Sequence, residues 1–315
     1  MQSRTMGRSG LQVSTLTLGT MNWGSQVMQD DARLLLEDYL DAGGTTIDTA
    51  YGYGDGASES LIGELIADLH RDDLVLVGKA GISRRTGERV VDTSRRGLLT
   101  QLEESLRRLR TDRLDLWLVH TWSDEVPWEE TLGALDHAVR SGAARYVGVS
   151  NYTGWQSAMV AQEAHHQRIP LVCNQIQYSL LARAAENEII PAATATGLGV
   201  MAWSPLAGGV LSGKYRSGVP ADSRAHTGDH PRWAAQMLPA ADGPVMKAVA
   251  TAAEGLDVSQ TEVALAWLRE RPGVSTAVVG ARRQGQLRAA LAAQQLHIAD
   301  AVRDALDDVS IPSMS

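Results

Sequence analysis

Short apolar runs alternate along the chain with segments whose apolar residues recur at helical spacing. Eight runs have the length and the β-branched content of strands: residues 15–18, 46–48, 74–79, 114–120, 146–150, 172–177, 199–203 and 276–280. Each run is separated from the next by a stretch long enough for a helix. The pattern therefore predicts strands and helices that follow one another in regular order.

The segments between the runs have amphipathic patterns. Within residues 93–110, one helical stripe of leucines lies among charged neighbours: Leu98, Leu99, Leu102, Leu106 and Leu109. Ser259 and Glu262 have the spacing of a capping box, which predicts that a helix begins there. Eight strands that are each followed by a helix indicate a (β/α)8 barrel. No linker-like or low-complexity stretch interrupts the chain, so residues 1–315 are predicted to form one domain.

The segment 207–243 departs from this spacing. It is rich in Gly, Pro, His and Asp, and a loop this long in a compact domain is usually functional or mobile. It follows the strand ending at Trp203, and glycines near its start allow the backbone to swing. We therefore expect it to form a movable lid over a ligand site at the carboxyl ends of the strands. Its cations could meet a phosphate-bearing ligand: Lys214, Arg216, Arg224 and Arg232. The alternative is a surface excursion that links two elements.

Composition and charge narrow the functional classes. The 315 residues are 44% hydrophobic and carry a formal net charge of −8, which gives no general attraction to nucleic acid or anionic lipid, although a local basic patch could still exist. The first residues contain no apolar segment of a secretion signal, and no run of 18 apolar residues occurs. Cys173 is the single cysteine and lies in a predicted strand, which indicates a buried, inert thiol. These features favour a cytoplasmic protein in a reducing compartment.

Residues with acid–base chemistry lie at or just after the predicted strands: Asp48, Tyr53, Lys79 and His120. About one βα unit separates each group from the next. A (β/α) barrel gathers the carboxyl ends of its strands at one face, so these side chains are expected to converge there. A phenol, an ammonium, a carboxylate and an imidazole together form the kind of proton-donating site that carbonyl reduction requires.

With these residues in place, the chain resembles the aldo-keto reductase superfamily almost from end to end. The segments that carry the likeness are residues 10–14, 18–21, 48–54 with Ser58 and Glu59, 148–151, 174–180 and 204–209. Their order and their placement at strand ends make chance agreement improbable. The resemblance implies a (β/α)8 TIM barrel with an N-terminal β-hairpin and extra C-terminal helices, in an enzyme that reduces an aldehyde or ketone.

The resemblance implies a catalytic tetrad of Asp48, Tyr53, Lys79 and His120, with Tyr53 as the proton donor. A free tyrosine has a pKa of about 10, and a nearby cation such as Lys79 would stabilise the phenolate and lower that pKa. Asp48 would hold Lys79, and His120 would orient the substrate oxygen. Taken singly, such residues are also common as packing groups or structural ion pairs.

The implied cofactor is NADPH, extended over the strand ends. The residues implied to contact it are Gly19, Thr20, Met21, Asp48, Ser150, Asn151, Gln175, Trp203, Ser204, Leu206, Gly208, Lys214, Gly280, Arg282 and Gln286. Ser150, Asn151 and Gln175 would bind the nicotinamide carboxamide. Trp203 would stack on the nicotinamide ring, and its alternative role is that of a core aromatic.

The adenosine end of the cofactor would lie at residues 280–287. Arg282 would pair with the 2′-phosphate and Gln286 would meet the adenine, although arginines at a helix start are also often simply solvated. Members of the family often carry Asn four residues after this Gln. Ala290 occupies that position here, which implies that one adenine contact is lost.

The substrate is expected to be a small carbonyl compound. Trp23 and Trp122 are implied to line its pocket, which suggests an apolar, aromatic or sugar-like molecule. Potassium-channel β-subunits resemble the family too, keep the barrel and the cofactor, and act mainly through a partner. A cofactor-binding sensor or regulatory subunit is therefore the alternative function, and the oligomeric state is not readable.

Two other patterns suggest different functions. Residues 52–57 fit G-x-G-x-x-A, a dinucleotide fingerprint of doubly wound folds. That interpretation requires an acidic residue at the end of the next strand, where Lys79 stands instead. His226, Asp229 and His230 could ligate a metal, but side chains of these types in loops are usually solvated. No metal is therefore predicted.

Overall fold

The computed structural model describes residues 1–84, 87–216, 218–220 and 236–311. Its strands are, in chain order, β1 (Ser3–Thr5), β2 (Gln12–Ser14), β3 (Leu16–Gly19), β4 (Thr46–Asp48), β5 (Val75–Ala80), β6 (Ile82–Ser83), β7 (Val90–Val91), β8 (Leu114–Val119), β9 (Ala144–Ser150), β10 (Leu171–Gln177), β11 (Gly199–Trp203) and β12 (Val274–Gly280). Its helices are α1 (Gln29–Asp41), α2 (Ala57–Leu65), α3 (Arg95–Leu109), α4 (Trp128–Ser141), α5 (Gly154–Gln167), α6 (Ile189–Thr196), α7 (Pro244–Leu256), α8 (Gln260–Arg269), α9 (Gln284–Ala292) and α10 (Asp300–Ser310).

Eight parallel strands close into a barrel in the order β3, β4, β5, β8, β9, β10, β11 and β12, and β12 pairs with β3. Each of these strands overlaps one of the eight predicted runs, and the bounds of β4 and β11 agree with the prediction. The (β/α)8 fold is therefore confirmed. Because all eight strands run in the same direction, their carboxyl ends meet at one face.

The N-terminal hairpin and the extra C-terminal helix are also present. Strands β1 and β2 pair antiparallel, and the buried side chains of Met6 and Val13 pack with Val77 and Leu116 of the barrel strands. Helix α10 follows α9 after the last barrel strand. Among the described residues, no helix is both long and apolar enough to cross a membrane.

The helices begin and pack as their sequences predict. Ser259 accepts a hydrogen bond from the backbone N–H of Glu262 and forms the predicted capping box of α8. In α3, Leu98, Leu102 and Leu109 are buried against the barrel. Apolar side chains thus pack on both faces of the barrel wall.

Candidate active site

A buried ion pair lies at the carboxyl ends of β4 and β5. Lys79 Nζ donates to Asp48 Oδ1 at 2.6 Å and to the Thr49 carbonyl at 2.8 Å. The side chains of Lys79 and Asp48 are 0% and 3% exposed. Burial by itself lowers the pKa of Lys79, but the Asp48 carboxylate and Tyr53 more than compensate and raise it. Lys79 is therefore an ammonium held at this face of the barrel.

Tyr53 and His120 adjoin this ion pair. Tyr53 begins a short 3-10 turn, Tyr53–Gly56, and its ring centre lies 5.1 Å from Lys79 Nζ. His120 directly follows β8, and the centre of its ring lies 6.0 Å from that of Tyr53, with the two planes at 78°. The structure thus brings together the four residues that the sequence places at separate strand ends.

Gln175 connects the ion pair to the next part of the face. Its Nε2 donates to Asp48 Oδ2 at 2.8 Å, so both carboxylate oxygens of Asp48 are bound. The Gln175 carbonyl accepts from Ser150 Oγ and from the backbone N–H of Asn151, each at 2.9 Å. Strands β4, β9 and β10 therefore share one polar network.

Asn151 and Trp203 extend this network across the face. Asn151 Nδ2 donates to the His120 carbonyl at 3.0 Å, and Trp203 Nε1 donates to Asn151 Oδ1 at 3.0 Å. Asn151 and Ser204 directly follow β9 and β11 and have φ values of 60° and 55°. Positive φ at non-glycine residues is uncommon and concentrates at functional sites. The side chains predicted to bind nicotinamide are thus neighbours.

The loop after β3 supports Asp48 from behind. Gly19 pairs with Asp48 between strands, and a Cβ added at Gly19 would lie 3.0 Å from a methyl group of Val278. The backbone N–H and the hydroxyl of Thr20 both donate to the Asp48 carbonyl, at 3.0 and 2.9 Å. Met21 is half-buried. The small residue at position 19 therefore keeps this loop close to the ion pair.

A glycine-rich turn follows β11. Gly208 and Gly209 have φ values of 69° and 95°, and a Cβ added at Gly209 would lie 2.7 Å from Lys214 Nζ. The Lys214 ammonium also lies 4.9 Å from the centre of the Tyr215 ring. A cation thus folds back over bare backbone, an arrangement suited to an anionic group such as a phosphate. The predicted contacts Ser204, Leu206 and Gly208 all lie in this turn or directly before it.

The segment after β12 carries the residues predicted to bind the adenosine end. Gly280 pairs with Gly19, which brings this segment beside the loop after β3. Arg282 Nη1 donates to Gln26 Oε1 at 3.2 Å, and the Arg282 backbone N–H donates to Gln286 Oε1 at 2.9 Å. Ala290, in place of the expected Asn, is fully buried in the core.

The tryptophans near the site occupy different environments. Trp23 is 1% exposed and packs in the hydrophobic core, so it presents almost no surface to a substrate. Trp122 lies 5.1 Å from Tyr152 and 5.6 Å from Trp155 between ring centres, and its Nε1 donates to Asp124 at 2.7 Å. Trp155 is 57% exposed. Trp155 and the half-buried Trp122 therefore present more aromatic surface than Trp23 does.

Some of the predicted features lie outside the described residues: much of the segment 207–243, together with Arg224, His226, Asp229, His230 and Arg232. Within the described ranges, no group of three or more His, Cys, Asp or Glu side chains could hold a metal ion. Cys173 is buried, as expected, and burial raises the pKa of its thiol.

Sequence reasoning did not predict an ion pair that lies beside the Tyr53–Gly56 turn. Arg108 of α3 donates to Glu59 Oε2 at 3.0 Å, and the Glu59 side chain is fully buried. Glu59 was recognisable as part of the signature that follows Tyr53. Arg108 carries no such signal, because it is one of several arginines in an amphipathic helix.

Comparison with known proteins agrees with this geometry. The model of the family described as "Aldo/keto reductase family" matches residues 15–311. The chain belongs to the aldo/keto reductase family. Enzymes of this family generally use NAD(P)H, and the match supports a general reductase role for this member.

Individual relatives of this aldo/keto reductase cover most of its length. The chain is 35% identical to an uncharacterized oxidoreductase, YrpG, of Bacillus subtilis, over 96% of the chain and 94% of the relative. It is 34% identical to the L-glyceraldehyde 3-phosphate reductase of Escherichia coli K12, over 91% and 86%. It is also 33% identical to a probable voltage-gated potassium channel subunit beta of Arabidopsis thaliana, over 91% and 89%.

The side chains of this aldo/keto reductase fit a nicotinamide dinucleotide. Neutral amide and hydroxyl groups of Ser150, Asn151 and Gln175 adjoin the tetrad, as a carboxamide requires. Lys214 and Arg282 are cations in the segments that follow β11 and β12, and they would meet the phosphates of such a cofactor.

Proposed function

We propose that this protein reduces an aldehyde or ketone to an alcohol with NADPH, and that Tyr53 donates the proton. The observation that carries the proposal is the contact between the buried Lys79 ammonium and the Tyr53 ring, 5.1 Å from Nζ to the ring centre. An ammonium in this position stabilises the phenolate that proton donation leaves behind. Lys79 itself is held by Asp48 and by the Thr49 carbonyl.

The other residues of the site orient the reactants. NADPH, when bound, supplies the hydride that reduces the carbonyl carbon. His120 is placed across from Tyr53 and would hydrogen-bond the carbonyl oxygen, so that the oxygen meets the phenol. Ser150 and Asn151 would hold the carboxamide, and Trp203 would stack on the nicotinamide ring.

The preference for NADPH over NADH is part of the proposal. Arg282 lies two residues after β12, and its guanidinium reaches the loop after β3 through Gln26. A guanidinium in that position would form charge-assisted hydrogen bonds with a 2′-phosphate. Gln286 would contact the adenine, and the buried Ala290 contributes no polar group there.

The test is steady-state oxidation of NADPH with a panel of aldehydes and ketones. The proposal requires turnover of at least one carbonyl compound and its loss in Tyr53→Phe. Binding of NADPH, measured by tryptophan fluorescence, should be similar in both proteins. A wild-type protein that binds NADPH and reduces no member of the panel would contradict the reductase function.

The second candidate is a cofactor-binding sensor or regulatory subunit of low turnover. The 33% identity to a probable voltage-gated potassium channel subunit beta favours keeping it. Both candidates require the barrel and the cofactor, and they differ in catalytic rate. Slow turnover with every carbonyl tested, together with tight NADPH binding, would favour the regulatory function.

A further inference from the structure

Four side chains behind the site form a charged group that we call the Arg108 cluster: Tyr51, Glu59, Glu104 and Arg108. Arg108 Nη1 donates to Glu59 Oε2 at 3.0 Å, and Nη2 donates to Glu104 Oε1 at 2.6 Å. The Tyr51 hydroxyl donates to Glu104 Oε2 at 2.9 Å. The Arg108 guanidinium also lies 4.7 Å from the centre of the Tyr51 ring. The cluster therefore joins α3 to α2 and to the loop after β4.

Stability alone does not account for the Arg108 cluster. Burial raises the pKa of Glu59, and hydrogen bonds from Ser105 and Arg108 only partly oppose that rise. Burying an ion pair costs desolvation energy, and apolar residues of the same size often stabilise a fold equally well. The distinctive feature of Arg108 is that it contacts the residues around the Tyr53–Gly56 turn.

Arg108 lies directly against the turn that carries Tyr53. Gly56 in this turn has φ 96°, and a Cβ added there would overlap the Arg108 guanidinium. Arg108 Nη1 also donates to the Tyr51 carbonyl at 3.2 Å. On the strand side, the Tyr51 backbone N–H donates to the Lys79 carbonyl at 2.9 Å. Tyr51, two residues before Tyr53, is thus bound to both β5 and α3, and Gly56, three residues after Tyr53, packs against the Arg108 guanidinium.

The turn itself has a backbone that requires outside support. Gly54, Asp55 and Gly56 have φ values of 55°, 51° and 96°. The positive φ of Asp55 is unfavourable for a residue with a side chain and persists only where the surroundings impose it. The Arg108 guanidinium, which packs against Gly56 next to Asp55, supplies part of such surroundings.

We propose that Arg108 is a positioning residue that holds the Tyr53–Gly56 turn so that the Tyr53 phenol stays beside Lys79. The inference rests on the proposed function, because it assumes that Tyr53 donates the proton. Catalytic groups must be held within about 0.5 Å of their working geometry, and a misplacement of about 1 Å can cost about 100-fold in rate. Loss of Arg108 should therefore slow the chemical step.

The experiment compares Arg108→Met with Arg71→Met. Arg71 is the matched control, since it is also largely buried, pairs with Asp115 at 2.7 Å and donates to the Leu74 and Arg113 carbonyls. These contacts lie at the amino ends of β5 and β8, away from Tyr53. Both variants lose a buried ion pair, and only one of them touches the turn.

The first readout is the single-turnover rate of NADPH oxidation with a saturating carbonyl substrate. We expect Arg108→Met to lose about 10- to 100-fold, to show a larger solvent deuterium isotope effect, and to bind NADPH as the wild type does. Arg71→Met should keep the wild-type rate and isotope effect. Arg108→Lys keeps the charge without the planar fork, so its single-turnover rate should lie between those of Arg108→Met and the wild type. If Arg108→Met folds poorly, Arg108→Lys takes its place in the comparison with Arg71→Met.

The second readout is hydrogen exchange at the backbone amides of Tyr51 and Tyr53, which requires no turnover. Both amides should exchange faster in Arg108→Met than in the wild type, and at the wild-type rate in Arg71→Met. Equal exchange in the two variants, or an equal loss of rate, would overturn the positioning role. A wild type that reduces no carbonyl would contradict the proposed function, while exchange would still decide whether Arg108 holds the turn.

Discussion

Lys79 Nζ lies 2.6 Å from Asp48 Oδ1, and the two side chains are 0% and 3% exposed. Water therefore solvates neither charge, and each depends on the other. Gln175 binds the second oxygen of Asp48, which also fixes the orientation of the carboxylate. The first two predictions concern this pair.

Asp48→Asn should destabilise the protein, because it leaves the Lys79 ammonium buried without a carboxylate. We expect the free energy of unfolding, measured by urea denaturation, to fall by about 3 kcal/mol. The double variant Asp48→Leu with Lys79→Met removes both charges, so it should recover most of that stability and remain inactive. A double variant that is no more stable than Asp48→Asn would contradict this account.

The stability difference between the wild type and that double variant should depend on pH. Burial lowers the pKa of Lys79, but Asp48 and Tyr53 raise it by more than burial lowers it. The pKa in the folded protein therefore exceeds the unfolded value of about 10.4. The contribution of the pair is therefore complete below about pH 10 and is lost as the pH rises through the raised pKa. Urea unfolding between about pH 7 and about pH 11 would test this sign. The difference should not shrink as the pH falls from about 10 to about 7.

Tyr53→Phe should lower the rate of carbonyl reduction by at least about 100-fold, because general acid catalysis typically contributes that much. The ring is retained, so packing against His120 and affinity for NADPH should change little. Tyr146→Phe is the control, since Tyr146 of β9 packs near the N-terminal hairpin, away from the tetrad. Turnover above about a tenth of the wild-type rate in Tyr53→Phe would rule out Tyr53 as the main proton donor.

Arg282→Ala should weaken NADPH binding by about 1.5–3 kcal/mol, the range for a hydrogen bond to a charged group, and leave NADH nearly unchanged. Arg288→Ala is the control, because Arg288 is an exposed arginine of α9, the helix that follows Arg282, and it pairs with Asp38. Titration of each protein with both cofactors gives the four affinities. Equal losses for NADPH and NADH in Arg282→Ala, or a wild-type preference for NADH, would count against a role in reading the 2′-phosphate.

Gly209→Ala should lower cofactor affinity and leave the rate at saturating cofactor nearly unchanged. The φ of 95° disfavours a side chain, and the added Cβ would lie 2.7 Å from Lys214 Nζ, so Lys214 must move. Gly255→Ala in α7 is the control. The added Cβ has no neighbour within 4 Å, so the substitution should stabilise the helix by about 0.5–1 kcal/mol. Unchanged affinity in Gly209→Ala would show that Lys214 does not meet the phosphates.

The barrel and the approximate ends of its strands were predictable, since both follow from local patterns. Thr46–Asp48 and Gly199–Trp203 have the predicted bounds, and the other strands differ by a few residues at their ends. The capping box at Ser259 and the leucine stripe of α3 are local signals of the same kind. Residues at strand ends converge in any such barrel, which is why the meeting of Lys79 with Asp48 could be expected.

Contacts that do not follow from the convergence of strand ends could not be predicted, because no local pattern encodes them. Arg282 meets Gln26 across 256 positions, and Arg108 meets Glu59 across 49. The burial of Trp23 likewise depends on which segments pack over the loop after β3. The residue type does not reveal this, because a tryptophan can line a pocket as readily as it can fill a core.

Local signals therefore specify the alternation of strands and helices and the residue types at each strand end, because hydrophobic periodicity and capping act over a few residues. The folded chain then settles how deeply each side chain is buried and which charges, beyond Lys79 and Asp48, are paired. Those properties depend on packing between segments far apart in the chain. The support of Tyr53 by Arg108, through a glycine that leaves room for a guanidinium, is a property of that packing.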